Sequence, residues 1–154
     1  MYKGGFFCTI TVAVITQCLA FTSSLNGINW LPYSVALSAA KSQNKPIFVL
    51  VYNDYCTQYE KLKNEIEKSP YLQEFQELSN KFVMTNVADK EIREPDDKEF
   101  TPDGHYKPRI VFLNKNGRRI STVTNSRFKK YLHFYDRLDD IVRDMKKILL
   151  YHNY

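Results

Sequence analysis

Cys56 is the residue of this chain best placed to do chemistry. It stands in Asp54-Tyr55-Cys56-Thr57-Gln58-Tyr59, directly after the apolar run Pro46 to Tyr52 and directly before an amphipathic helical pattern. A thiol at a helix start faces free backbone N–H groups and the positive end of the helix dipole. Both favour the thiolate, which is the nucleophilic form. Thiolate attack on a disulfide gives a mixed disulfide, and a second thiol one helical turn further on resolves it intramolecularly. Tyr59 occupies that place here. The competing fate for Cys56 is that of a small buried hydrophobe, common for free cysteines.

The other cysteines lie in a distinct N-terminal segment. Met1-Tyr2-Lys3 is a short basic start, Phe6 to Phe21 is uncharged and mostly apolar, and Cys18 and Ala20 are small residues at the −3 and −1 positions of a cleavage site. This is the pattern of a secretory signal, expected to be cleaved after Ala20. A retained membrane anchor is the competing reading. The run is shorter than the ~20 residues a span needs, and it contains Thr9, Thr11, Thr16 and Gln17. No stable membrane insertion is expected after cleavage. Cys8 and Cys18 leave with the signal, so Cys56 becomes the single thiol of the mature chain, and no intramolecular disulfide is available to it. In an oxidising compartment such a thiol is either free and reactive or forms an intermolecular bridge, including one to a second copy.

The net charge of +5 becomes +4 once Lys3 is removed, and the basic residues are interleaved with acids. Arg127-Phe128-Lys129-Lys130-Tyr131 is the nearest thing to a nucleic-acid patch, but a secretory address makes a solvated loop the better reading. No Asn-x-Ser/Thr acceptor is present, so N-glycosylation is not expected. With one mature cysteine, isolated His105 and His133 and no ligand spacing among the acids, no metal site is expected. His105 has two readings, a partner to the thiolate or a solvated loop residue. The chain ends Tyr151-His152-Asn153-Tyr154, which is not a retrieval signal of the Lys-Asp-Glu-Leu type.

The elements that must position Cys56 follow from periodicity. With 44% apolar residues, the chain has enough apolar content for one core, and a domain over 25–150 is expected, with a tail at 151–154. Pro32 suits a first helical position, and Val35, Leu37, Ala39 and Ala40 supply the apolar side of a helix ending near Asn44. The all-apolar run to Tyr52 predicts a central strand buried on both faces. Asp54 is a suitable N-cap, and Tyr59, Leu62 and Ile66 mark the buried stripe of the next helix. Ser69-Pro70 interrupts it before a second amphipathic segment carrying Tyr71, Leu72, Phe75 and Leu78. A strand over 81–87 follows, parallel to the first because a helical crossover joins them. Residues 89–107 read as a long polar loop with Pro95 and with a turn at Thr101-Pro102-Asp103-Gly104. A strand starts after Pro108, Asn116-Gly117 turns it into an antiparallel partner over 119–124, and a helix over 136–150 closes the chain. The expected class is α/β, a mixed sheet with helices on both faces.

Several segments carry a resemblance in combination. These are Asn44-Lys45-Pro46, Phe82-Val83-Met84-Thr85-Asn86, the run from Phe100 through Thr101-Pro102-Asp103-Gly104-His105-Tyr106-Lys107-Pro108-Arg109 to Phe112, and Met145-Lys146-Lys147. From about Trp30 to Leu150 the chain resembles the anterior-gradient family and the related small thioredoxin of the endoplasmic reticulum. The resemblance implies a thioredoxin-like fold with Pro108 as a cis-proline facing Cys56, in a turn that offers backbone groups to an extended client segment. Without it, a trans-proline opening a strand is the expected reading. Tyr55, Tyr59, Lys107, Pro108 and Arg109 are the expected binding residues, and Arg109 either adds charge near the thiol or faces solvent.

Two departures bear on activity. Dithiol members of the wider family carry cysteine where Tyr59 stands, and monothiol anterior-gradient members carry serine. Dithiol thioredoxins also bury an acid six residues before the first cysteine, where this chain has Leu50. Efficient dithiol cycling is therefore not expected, and at most a weak monothiol reductase or isomerase remains. Three functions stay open: a monothiol folding or quality-control factor holding client proteins as mixed disulfides, a secreted binding or signalling protein, and a glutathione-dependent monothiol oxidoreductase. No cofactor is expected in any of them, with glutathione as the one co-substrate. The expected location is the endoplasmic reticulum lumen or outside the cell.

Overall fold

The computed structural model describes residues 27–53, 55–93 and 97–151. The signal segment, the Asp54 cap, Pro95 and residues 152–154 of the tail lie outside the described residues.

A two-residue strand β1 (Trp30–Leu31), which the sequence pattern did not announce, runs into helix α1 (Tyr33–Gln43). Pro32 is the residue before that helix rather than its first position, and Asn44 ends it in the left-handed conformation at φ 51°. Asparagine tolerates this conformation, and it lets Lys45 N–H return to the Ala40 carbonyl, capping the helix. The buried face of α1 is Ala36 and Ala40, whereas Val35, expected inside, is 45% exposed. Small residues at a spacing of four let the helix sit close on the sheet, so the larger side chains turn outward.

Strand β2 (Ile47–Tyr52) is buried at all six positions. It lies between β3 (Val83–Ala88), to which it is parallel, and β4 (Arg109–Leu113), to which it is antiparallel, in the order β1-β3-β2-β4. Alternate residues therefore feed two cores. Phe48, Leu50, Tyr52, Met84, Ile110 and Phe112 face helices α2 (Thr57–Lys68), α3 (Leu72–Ser79) and α5 (Leu138–Tyr151). Ile47, Val49, Val51, Val87, Val111 and Leu113 face α1 and Phe100. The predicted stripe of α2 holds, with Tyr59, Leu62 and Ile66 buried, and the helix stops at Ser69 ahead of Pro70.

Two expectations fail. The segment 89–107 is not a plain loop, since it holds a 3-10 turn at Asp89–Glu91 and a short helix α4 (Asp97–Phe100), with Phe100 only 1% exposed. The Asn116-Gly117 turn forms, but the antiparallel partner over 119–124 does not. Arg119 bridges Leu113 and Ile120 N–H bonds the Phe112 carbonyl, and then Val123 N–H folds back onto the Ile120 carbonyl. The rest of the β4 edge is covered by a later segment, with Ile110 N–H donating to the His133 carbonyl at 2.8 Å. Fully buried Asn125 fixes that strap, its backbone N–H on the Leu132 carbonyl and its side-chain amide on the Phe134 carbonyl. Side-chain hydrogen bonding thus replaces a ladder that hydrophobic alternation had suggested.

Candidate functional site

Strands β2 and β3 run parallel and end together at Tyr52 and Ala88, and the residues that follow these ends meet the turn before β4. Cys56 caps α2 with an extended backbone (φ −92°, ψ 114°), and its side chain makes no capping hydrogen bond. Its own carbonyl accepts from Tyr59 N–H at 2.9 Å and Glu60 N–H at 3.2 Å, so the helix is initiated through the backbone and Sγ is left to point elsewhere. The thiol is half-buried, and Sγ lies 3.7 Å from the Lys107 carbonyl oxygen, which accepts from it. The Lys107–Pro108 bond is cis and Pro108 is buried. The arrangement implied by the resemblance is therefore present, with the cysteine and the cis-proline turn side by side.

The remaining predicted binding residues separate. Tyr55 is 97% exposed and flanks the thiol on its open side. Tyr59 turns inward, is 6% exposed, and stacks on Tyr52 with ring centroids 5.1 Å apart. The place of a resolving thiol is thus filled by a core ring. Leu50 is likewise buried in the core, paired between Asn86 and Ile110. Lys107 offers its carbonyl to the thiol while its ammonium reaches away to Asp89 at 2.8 Å.

Arg109 neither faces solvent nor lines the site. It is fully buried on the opposite sheet face, donating from Nε to the Phe100 carbonyl, from one terminal nitrogen to the Tyr106 carbonyl, and from the other to Asp89 at 2.7 Å. Odd-numbered positions of β4 all point to that face, so the side-chain period of two decided its direction. Its role is to hold together the turn after β3, the end of α4 and the turn before Pro108. Burial raises the Asp89 carboxyl, but hydrogen bonds from Lys107 and Arg109 outweigh this and hold it below its ordinary value.

His105 is exposed, which matches the solvated reading, while His133 is 3% exposed. Burial holds the His133 imidazole below its usual 6.5; nearby Asp103 opposes this, and Arg119 and Arg109 reinforce it. An unfolded histidine takes up a proton at higher pH than this one, so the unfolded chain binds more protons as pH falls below 6.5. Stability contributed by neutral His133 is accordingly expected to be complete above that pH and to decline below it. Urea midpoints measured on both sides should show the slope in the wild type and lose much of it in His133→Leu. An unchanged slope in that variant would sink the assignment.

Sequence reasoning passed over Asp103 and Tyr106 as site residues, reading Asp103 only as part of a turn. Tyr106 O–H donates to Asp103 Oδ2 at 2.6 Å, and burial together with that carboxylate pushes the phenol well above its ordinary range. A tyrosine three residues after a turn aspartate was the available signal. Among the described residues no group of three or more His, Cys, Asp or Glu is placed to hold a metal ion, and no helix is long and apolar enough to cross a membrane. Chemically, the site offers one accessible thiol, a backbone carbonyl beside it, and an exposed aromatic ring.

Comparison with known proteins agrees with this geometry. A thioredoxin-like family profile matches residues 29–115. Anterior gradient protein 3 of Mus musculus is 33% identical over 125 residues, covering 79% of this chain and 72% of the relative. Anterior gradient protein 2 homolog of Homo sapiens is 31% identical over 119 residues, covering 76% of this chain but 63% of the relative. The solution structure of a thioredoxin from Thermus thermophilus superposes with a TM-score of 0.55 at 15% identity, covering 80% of this chain and 88% of that one, which supports the fold.

Proposed function

We propose that this chain, which belongs to the anterior-gradient group of the thioredoxin-like family, is a monothiol factor of the secretory pathway that binds client polypeptides beside Cys56 and Pro108 and holds them briefly as mixed disulfides. The observation that carries the reading is the pairing of Cys56 Sγ with the Lys107 carbonyl, 3.7 Å apart, at the cis-proline turn. An extended client segment laid along that turn would place its own cysteine at the thiol. The Cys56 thiolate attacks one sulfur of a client disulfide, a new S–S bond forms, and the other client sulfur leaves as a thiolate. Glutathione or a second client thiol then attacks the mixed disulfide and restores Cys56. Buried Tyr59 cannot perform that step, so release depends on an external thiol. The signal pattern at residues 1–20 supports the secretory address.

The inward Tyr59 and apolar Leu50 also favour a second reading, a secreted binding protein that makes no use of thiol exchange. Capture of client complexes under conditions that block free thiols separates the two. Wild-type protein is expected to yield complexes that reductant dissolves, and Cys56→Ser to yield none of them. Should Cys56→Ser keep every partner and all activity, the binding reading replaces the first. Turnover in a glutathione-coupled reduction assay is expected to be negligible, and robust turnover would instead mark a monothiol oxidoreductase.

A further inference from the structure

The carbonyl that meets the thiol belongs to Lys107, and the residue before it is tied down by an unusual set of bonds. Asp103 Oδ2 accepts from Tyr106 O–H at 2.6 Å and from Leu132 N–H at 2.6 Å. The Tyr106 oxygen in turn accepts from His133 N–H at 2.9 Å, and the His133 carbonyl accepts from Ile110 N–H, two residues past Pro108. A closed circuit therefore joins the turn at Asp103, the residues on either side of the cis-proline, and the strap over the β4 edge. The Tyr106 ring also packs edge-on against Tyr131, centroids 4.8 Å apart, on the outside of the strap.

One feature of this circuit costs the fold stability. Asp103 Oδ1 is buried with no hydrogen-bond partner, so half of a carboxylate is desolvated without compensation. For stability alone a side chain with a single acceptor would serve better. Local features that work against the fold tend to lie where a site needs a fixed geometry. Only the charged carboxylate supplies one oxygen strong enough to hold both a phenol and a backbone N–H at 2.6 Å.

We propose that Asp103 and Tyr106 are positioning residues for exchange at Cys56: they fix the Lys107 carbonyl and the wall beside it against which a client backbone aligns. The inference rests on the client reading given above. It predicts a split between substrates that use the wall and reagents that do not. The probe is a peptide whose cysteine is joined by a disulfide to nitrothiobenzoate. Cys56 attacks the peptide sulfur, the protein–peptide S–S bond forms, nitrothiobenzoate leaves as a coloured thiolate, and the Cys56 proton passes to solvent. The reference is the symmetric nitrothiobenzoate disulfide, which has no peptide backbone to align.

Wild-type protein is expected to prefer the peptide. Tyr106→Phe, which keeps the ring on Tyr131, and Asp103→Asn are each expected to slow the peptide reaction about ten-fold, the scale of a small misplacement of reacting groups, and to leave the reference reaction unchanged. Either variant keeping the full peptide preference overturns the assignment for that residue. A parallel fall of both rates with a lowered unfolding midpoint overturns it as well, since it would show a structural role only. The underlying reading fails separately, in the wild type: no preference for the peptide there overturns client alignment and, with it, the positioning role.

Discussion

Replacing Arg109 by methionine is expected to destabilise the protein by about 3 kcal/mol, the low end of the range for removing one partner of a buried ionic group. Methionine fills most of the space, so lost packing is the smaller part. The larger part is the desolvation of the acceptors left behind. The Phe100 and Tyr106 carbonyls lose their donor inside the protein, and each such group costs about 1–3 kcal/mol. Asp89 is affected less, because it keeps Lys107 and is itself 21% exposed. Lysine at this position is expected to restore little, since one ammonium cannot span three acceptors that the planar guanidinium reaches together. Urea unfolding of the three proteins checks the claim, and a loss below about 1 kcal/mol for methionine would refute it. The same variant should slow peptide exchange at Cys56, because the Tyr106 carbonyl belongs to the residue preceding Lys107.

The second large effect is expected at Tyr59. Truncation to alanine should cost about 3–4 kcal/mol, the range for an aromatic side chain removed from a packed core. The ring is 6% exposed and stacked on Tyr52, so its loss leaves both a cavity and an unpartnered aromatic face. Tyr59→Phe keeps the ring and should keep most of the stability. Unfolding midpoints for the two variants provide the test, and near-equal midpoints would contradict the packing role. A resolving thiol at position 59 and a stabilising ring at position 59 exclude each other. The monothiol character of the site is therefore tied to the stability of the core, and not only to the absence of a cysteine.

Much of the frame was legible beforehand because it rests on local periodicity. The unbroken apolar run at 47–52 could be satisfied only by a strand covered on both faces, and β2 is buried throughout. The stripe Tyr59, Leu62 and Ile66 fixed the inward face of α2, so the direction of Tyr59 was already implicit in its spacing. The hairpin after Asn116-Gly117 misled, because alternation says that a segment suits a sheet and not that an edge is free to receive it. That edge went to the strap held by Asn125.

By itself the sequence determined a single thiol at the start of an amphipathic helix, the strand that delivers it, and the absence of a second thiol or a buried acid. These are statements about residue identity and near neighbours, which spacing along the chain records. Tertiary structure alone decided what stands opposite that thiol. The Lys107 carbonyl lies 51 positions away in sequence, and only the packing of β4 beside β2 brings it within 3.7 Å of Sγ. The same packing sent Arg109 to the far face and closed the Asp103–Tyr106–His133 circuit behind the turn. Hydrogen bonds between distant segments leave no period in the sequence, so the reactive residue was visible there and the wall that orients its partner was not.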